Sequence, residues 1–146
     1  MIVKISFDEI LPIWKQFLWP DRISPIETNS AMRFLGGYDI ESMSTPASFF
    51  AYMIDNRIVG VNSGHLCKDN SYRSRGVYVF PEYRKSGVGT ELLVATINQG
   101  RIENASYAWS YPRQSSWNTY KSAGYELASD WELSETSTNA YCKIII

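Results

Sequence analysis

The stretch "GVYVFPEYRKSGVGTELL", residues 76 to 93, decides how the rest of the chain is read. Its first five residues are β-prone, and residues 87 to 99 carry an apolar helical stripe with Gly100 placed to cap the end. An ordinary turn between strand and helix needs one glycine or none. This one holds Arg84, Lys85, Ser86, Gly87, Val88, Gly89 and Thr90, in the pattern R-x-x-G-x-G. The first turn of a helix leaves backbone N–H groups without partners, and its dipole is positive there. Glycines let backbone approach a bulky anion closely, and Arg84, Lys85 and the Ser86 and Thr90 hydroxyls can add donors. The P-loop spacing is absent, and the dinucleotide fingerprint fails because Leu92 stands where a third glycine belongs. On spacing alone, an anion site and a tight turn without a ligand both stay open.

Outward from this stretch, strands and helices alternate without repeat, linker or low-complexity run. "IVKIS" reads as a first strand. "SFDEILPIWKQFLWP" reads as a helix with a Ser6/Glu9 capping box, a possible kink at Pro12 and a stop at Pro20. "SPIETNSAMRFLGG" predicts a second helix, with Ser24 as N-cap, Pro25 at the first position and Gly36 and Gly37 at its end. "SFFAYMID" and "IVGVNSGHL" form a hairpin turning at Asn56-Arg57, "KDNSYRS" a polar connection, and "RGVYVF" a third, strongly β-prone strand. After the central helix come a strand in "ASYAWSYP", a short helix in "QSSWNTYKSAG", and a closing antiparallel pair from "YELASDWELS" and "NAYCKIII". The order predicts one mixed α/β domain over residues 1–146.

Composition narrows the function classes. With 146 residues the chain can bury a core without staples, and 45% hydrophobic with 20% charged residues is ordinary for a soluble globular protein. A net charge of −1 argues against a general nucleic-acid surface. No run has the length of a membrane-spanning helix and the N-terminus is no signal peptide, so no membrane partner and a cytoplasmic setting are expected. Cys67 and Cys142 lack metal-ligand spacing and His65 is the single histidine, so a zinc site has too few ligands and two buried free thiols are expected.

The segment "VYVFPEYRKSGVGTELL" resembles the signature of the GNAT family of acyl-coenzyme A-dependent N-acetyltransferases. Downstream, "TYKSAGYE" resembles that family's second motif, a small helix ending Tyr-x-x-x-Gly-aromatic, at the family's separation of one helix plus one strand. With the hairpin upstream, the resemblance covers about residues 48 to 130. It implies a GNAT fold, with a mostly antiparallel sheet of six to seven strands, a splayed parallel pair, and helices on both faces. It also implies acetyl-coenzyme A as cosubstrate, no metal, and acetyl transfer to an amine of a small molecule or a protein. A silent GNAT-fold module that holds coenzyme A as a sensor is the alternative.

Residue by residue, the resemblance puts the coenzyme's pyrophosphate on the amides of residues 84–90. It puts the pantetheine arm along exposed strand backbone around Tyr78, Val79 and Phe80, as an added strand beside a bulge. It makes Tyr120 the general acid toward the leaving thiolate. Relatives often carry an asparagine seven residues before that tyrosine. Here the position is Arg113, with Asn118 nearer as a coenzyme contact.

Many relatives also place a carboxylate near the start of the third strand, where this chain has Arg75. Arg75 would pair with an anionic acceptor or sit in a surface ion pair, and Asp55, Glu82 and Asp130 are unselected candidates for a base. His65 reads as a packing residue more readily than as a proton relay. An acceptor mouth would draw on Trp19, Asp21, Arg22 and Tyr38, with Trp131 opposite, whereas Trp14 and Phe17 read as core. The apolar end "YCKIII" would be a liability as a bare edge, which admits a homodimer.

Overall fold

The computed structural model describes residues 1–29, 46–134 and 137–146. Strand β1 (Ile2–Ile5) leads through Ser6 into helix α1 (Phe7–Ile13), which continues as a π turn over Trp14–Leu18. The capping box is present: the Ser6 hydroxyl accepts from the Glu9 N–H, and the Glu9 carboxylate accepts from the Ser6 N–H at 3.0 Å. Pro12 sits inside the helix without stopping it. Ser6→Ala removes one of these caps and is expected to lower stability by about 1 kcal/mol in a urea melt.

The remaining elements are β2 (Ser48–Ile54), β3 (Arg57–Leu66), β4 (Ser71–Val79), α2 (Val88–Ile102), β5 (Tyr107–Ser110), α3 (Trp117–Ser122), β6 (Glu126–Leu127), β7 (Glu132–Leu133), β8 (Thr138–Asn139) and β9 (Cys142–Ile145). Seven strands form one sheet in the order β1-β2-β3-β4-β5-β9-β6, while β7 and β8 pair separately. Among the described strands only β4 and β5 run parallel, joined by a crossover through α2.

Helices cover both faces of the sheet. Alternation along β2 sends Phe49 and Ala51 to Ile10 and Trp14 of the first helical segment. It sends Phe50 to Val88 and Leu92 of α2. A second cluster on the α2 side joins Tyr72, Leu93, Ile97 and Ala108 to Tyr120 and Tyr125 from α3 and the residues after it.

Several expected boundaries move. Residues 24–29 are not helical, and the rest of the helix expected to end at Gly37 lies outside the described residues, as does Tyr38. The hairpin turns at Asp55-Asn56, both at positive φ (50° and 61°). Strand β4 begins at Ser71, so "SYRS" is strand and Arg75 is mid-strand. Helix α2 runs through Gly100 to Ile102, and Gly100 lies where an added Cβ would sit 3.0 Å from the Tyr72 side chain. The closing strands split, with β6 pairing β9 and β7 pairing β8. Strand β9 lies between β5 and β6, so "YCKIII" is no bare edge and the homodimer loses that support. Phe17 is 42% exposed instead of core. Cys67 and Cys142 are buried free thiols, as expected.

Candidate active site

The site grows from the way β4 leaves its neighbours. Strand β5 pairs with β4 only over Ser71, Tyr72 and Arg73. Beyond Arg73 the two parallel strands part, while β3 keeps its pairing with β4 as far as Val79. The register between β3 and β4 shifts between Val61 and Ser63, so Asn62 faces Gly76 and Val77 together. Gly76 takes φ +81°, and its carbonyl accepts from the Trp14 indole N–H at 2.8 Å. A Cβ at Gly76 would lie 2.5 Å from that indole, so the bulge needs glycine both for its dihedral and for its neighbour.

Alternation then decides which backbone faces the opening. The Phe80 N–H donates to Val59 on β3 at 2.9 Å, and Tyr78 lies opposite Val61. Val79, between them, turns its backbone groups away from β3 and toward the opening. Of the three residues expected to present an exposed backbone, the Phe80 N–H is therefore already spent inside the sheet. The Val79 carbonyl accepts from Arg84 Nε at 2.8 Å, and the Arg84 guanidinium lies 5.4 Å from the Tyr78 ring centre.

The loop that follows has the shape its glycines suggested. Pro81–Tyr83 makes a single 3-10 turn. After the extended Arg84, Lys85 (φ 60°) and Gly87 (φ 90°) take left-handed conformations ahead of the helix, an arrangement that turns successive N–H groups toward one side. The first helical bond of α2 runs from the Glu91 N–H to the Gly87 carbonyl, and no side chain caps the helix. The N–H groups of Val88, Gly89 and Thr90 thus precede the helical ladder and remain available to an anion. The Ser86 hydroxyl turns back to the Tyr83 carbonyl. Gly89 serves a different end: an added Cβ would lie 2.9 Å from the Thr119 methyl, so it lets α3 approach the loop. Asn118, exposed in the first turn of α3, comes with it. These features fit a pyrophosphate on the amide row and an extended arm on the Val79 edge.

Tyr120 is buried, its ring edge-on to Tyr125 at 5.4 Å and its hydroxyl 3.3 Å from Ser110 Oγ at the end of β5. Burial pushes its phenol up to about 12. Ser110 also donates to the Ser74 carbonyl at 2.8 Å, so Tyr120 stands at the place where β4 and β5 part.

On the other face, Arg75 is buried instead of exposed. Its guanidinium lies 5.1 Å from both the Trp14 and the Trp19 ring centres and donates to the Glu27 carbonyl at 2.9 Å. Arg22 lies 5.2 Å from Trp19 and donates to Ser24 Oγ and the Pro25 carbonyl. These contacts fasten residues 19–27 over β4, and the burial of Arg75 corrects the expectation of an exposed strand-end position. Arg113 reaches the Leu18 carbonyl at 3.3 Å, placing its guanidinium against the π turn. Trp131 packs edge-on to Trp117 of α3. Phe17, which sequence reading assigned to the core, stacks on Tyr78 at 5.8 Å and meets Phe80 edge-on at 5.1 Å, forming an aromatic wall.

His65 is fully buried, and desolvation with the Arg73 and Arg75 charges pulls it down to about 3, so it is neutral at ordinary pH and a poor proton acceptor. Among the described residues no cluster of three His, Cys, Asp or Glu side chains could hold a metal, and no helix is long and apolar enough to cross a membrane. Sequence reading missed Arg73 and Ser110, both buried at the split. Their only signal was the alternation of Arg73 with Arg75.

The model of the acetyltransferase (GNAT) family matches residues 11–125. No curated protein matches the chain. Among solved structures, an IAA acetyltransferase from Bacillus cereus ATCC 14579 superposes with TM-score 0.70 at 14% identity, covering 100% of this chain and 99% of that one. The ribosomal-protein-S18-alanine N-acetyltransferase from Escherichia coli gives 0.66 at 14% identity, covering 100% and 93%. A protein assigned as a streptothricin acetyltransferase from Bacillus anthracis str. Ames, solved with acetyl coenzyme A, gives 0.62 at 16% identity, covering 73% of this chain and 66% of that one. The chain thus spans just under two thirds of the length of that last protein. At these identities the likeness is one of fold.

Proposed function

Because the chain belongs to the acetyltransferase (GNAT) family, we propose that it transfers an acetyl group from acetyl-coenzyme A to a primary amine of a small molecule or protein, by direct attack in a ternary complex. The observation that carries this reading is the opening between β4 and β5, with a backbone edge at Val79 and uncapped amides at Val88, Gly89 and Thr90 at its mouth. The coenzyme supplies an activated acyl group on a thiol leaving group. The amides of residues 85–90 hold its pyrophosphate, the Arg84 N–H being spent on the Pro81 carbonyl, with Lys85 adding charge and Asn118 a side-chain contact. The Val79 backbone orients the arm, so that the acetyl carbonyl lies by the bulge, where N–H groups favour the charge that develops on its oxygen.

Tyr120 gives its proton to the departing sulfur. Its phenol is neutral at working pH, held so by burial. The acceptor enters on the side of Phe17, Tyr78 and Trp19, above the segment that Arg75 fastens. Water and solvent serve as the route by which the amine loses its proton, since His65 is too weakly basic to take it.

The test has two stages. Coenzyme A at about 100 times its dissociation constant is expected to stabilise the fold by about 2.7 kcal/mol, read as a rise in melting temperature. Acetyl-coenzyme A with an amine library is then expected to release thiol faster than without amine. An unshifted melt at millimolar coenzyme A sinks the reading. A shifted melt with no amine-dependent thiol release from any member identifies a silent coenzyme-binding module.

A further inference from the structure

Arg73 is the last residue of β4 to pair with β5, and it is buried. Its Nη1 donates to the Ser74 carbonyl at 2.6 Å and to Ser110 Oγ at 2.8 Å, and its guanidinium lies 4.6 Å from the Trp109 ring centre. Its Nε is buried without a partner. Alternation puts Arg73 on the Trp109 face and Ser110 on the Tyr120 face, so the guanidinium reaches Ser110 at the gap where the strands separate.

Among the described residues, the titratable groups packed around it are neutral. His65, its cross-strand partner on β3, is neutral. Burial raises the Cys67 thiol just past β3, the Tyr125 phenol after α3, and the Cys142 thiol on β9, the last to about 12. Asp69, in the loop before β4, is engaged by Ser71 and by the Tyr107 hydroxyl. Arg75, two residues on, adds a second positive charge on the same face. A buried cation held by neutral groups alone is costly, and it suits a site where negative charge must appear transiently.

Negative charge appears at Tyr120 if that residue is the acid. When the C–S bond breaks, the electron pair leaves with sulfur. The phenol O–H then breaks, S–H forms, and a buried phenolate remains until the proton released by the acetylated amine returns to it through solvent. We propose that Arg73, acting through Ser110, is the positioning residue that holds positive charge against the Tyr120 oxygen during this step. The proposal rests on the acid role of Tyr120 given above. Its physical reason is that burial raises the phenol to about 12 even with the Arg73 charge and Ser110 lowering it, so losing either would make proton transfer to sulfur steeper still.

The experiment reads the phenol directly. 3,5-Difluorotyrosine is placed at position 120, where its fluorines lower the titration into a range the fold withstands, and fluorine NMR follows it against pH. Arg73→Gln and Ser110→Ala are each expected to raise that pKa by about one unit or more, and Arg73→Lys to hold it closer to the parent value. Unchanged titration in both Arg73→Gln and Ser110→Ala overturns the proposal. If Arg73→Gln does not fold, Ser110→Ala decides alone: an unchanged titration in it overturns the proposal. The titration separates the pairing from the acid role: a shifted pKa alongside a fully active Tyr120→Phe enzyme keeps the Arg73–Tyr120 coupling and overturns its part in turnover.

Discussion

Tyr120→Phe is expected to lower the turnover number by about 10²-fold or more while leaving the affinity for coenzyme A nearly unchanged. The ring is buried against Tyr125 and the α2 side of the sheet, and phenylalanine keeps that packing. The lost hydroxyl makes a single long contact, 3.3 Å to Ser110, so the fold gives up little. The chemistry loses its proton source. The pH dependence has a definite sign: a phenol at about 12 stays protonated through neutral and mildly alkaline solution, and its loss is felt only as pH rises toward that value. The wild-type rate should therefore climb with the fraction of neutral amine and show no alkaline decline near pH 10, the ordinary value for tyrosine. Thiol release under saturating amine, with melts for coenzyme affinity, reads both quantities. A phenylalanine variant as active as the parent across pH assigns the acid to another group or to water.

The second large effect concerns stability. Gly76→Val is expected to cost about 2–5 kcal/mol, the sum of left-handed backbone strain and overpacking against an immovable ring. The backbone there has φ +81°, and the new Cβ would lie 2.5 Å from Trp14, itself fully buried and hydrogen bonded to the Gly76 carbonyl. Against a typical total stability of about 5–15 kcal/mol this is a large share. A urea titration gives the loss as a shift in midpoint, and a change below about 1 kcal/mol would mean that the indole yields. Because the same residue makes the bulge, surviving variants should also bind coenzyme A more weakly.

The motif around Gly87 could be read because its causes are local. A strand, an uncapped helix start and two glycines lie within about fifteen residues, and each leaves its mark in residue type. Even there the two glycines proved to have different tasks, one at positive φ and one giving room to Thr119. What patterning misread was buried polarity. "KDNSYRS" looks like a loop because burial is ordinarily signalled by apolar side chains, yet Ser71, Arg73 and Ser74 are all inside. Asn62 is likewise buried, donating to Ser74 Oγ and Thr96 Oγ1. That misreading moved the start of β4, and with it the position of Arg75 within the strand. The insertion of β9 between β5 and β6 is a non-local pairing, which no run of residues announces on its own.

The π turn at Trp14–Leu18 has a consequence for how this surface can change. The Trp19 N–H bonds to the Trp14 carbonyl five residues back, at 2.7 Å, so one more residue is accommodated than an α turn would hold. That extra residue acts as a phase shifter. Upstream of it, Ile10 and Trp14 keep their heading into the core; downstream, Phe17 is rotated onto Tyr78 and Phe80. Deleting Lys15 or Gln16 would turn Phe17 by roughly a quarter of the helix circumference while Ile10 and Trp14, upstream, keep their places. On the proposed function, such a change would alter the acceptor side while leaving the amides of Val88, Gly89 and Thr90 where they are.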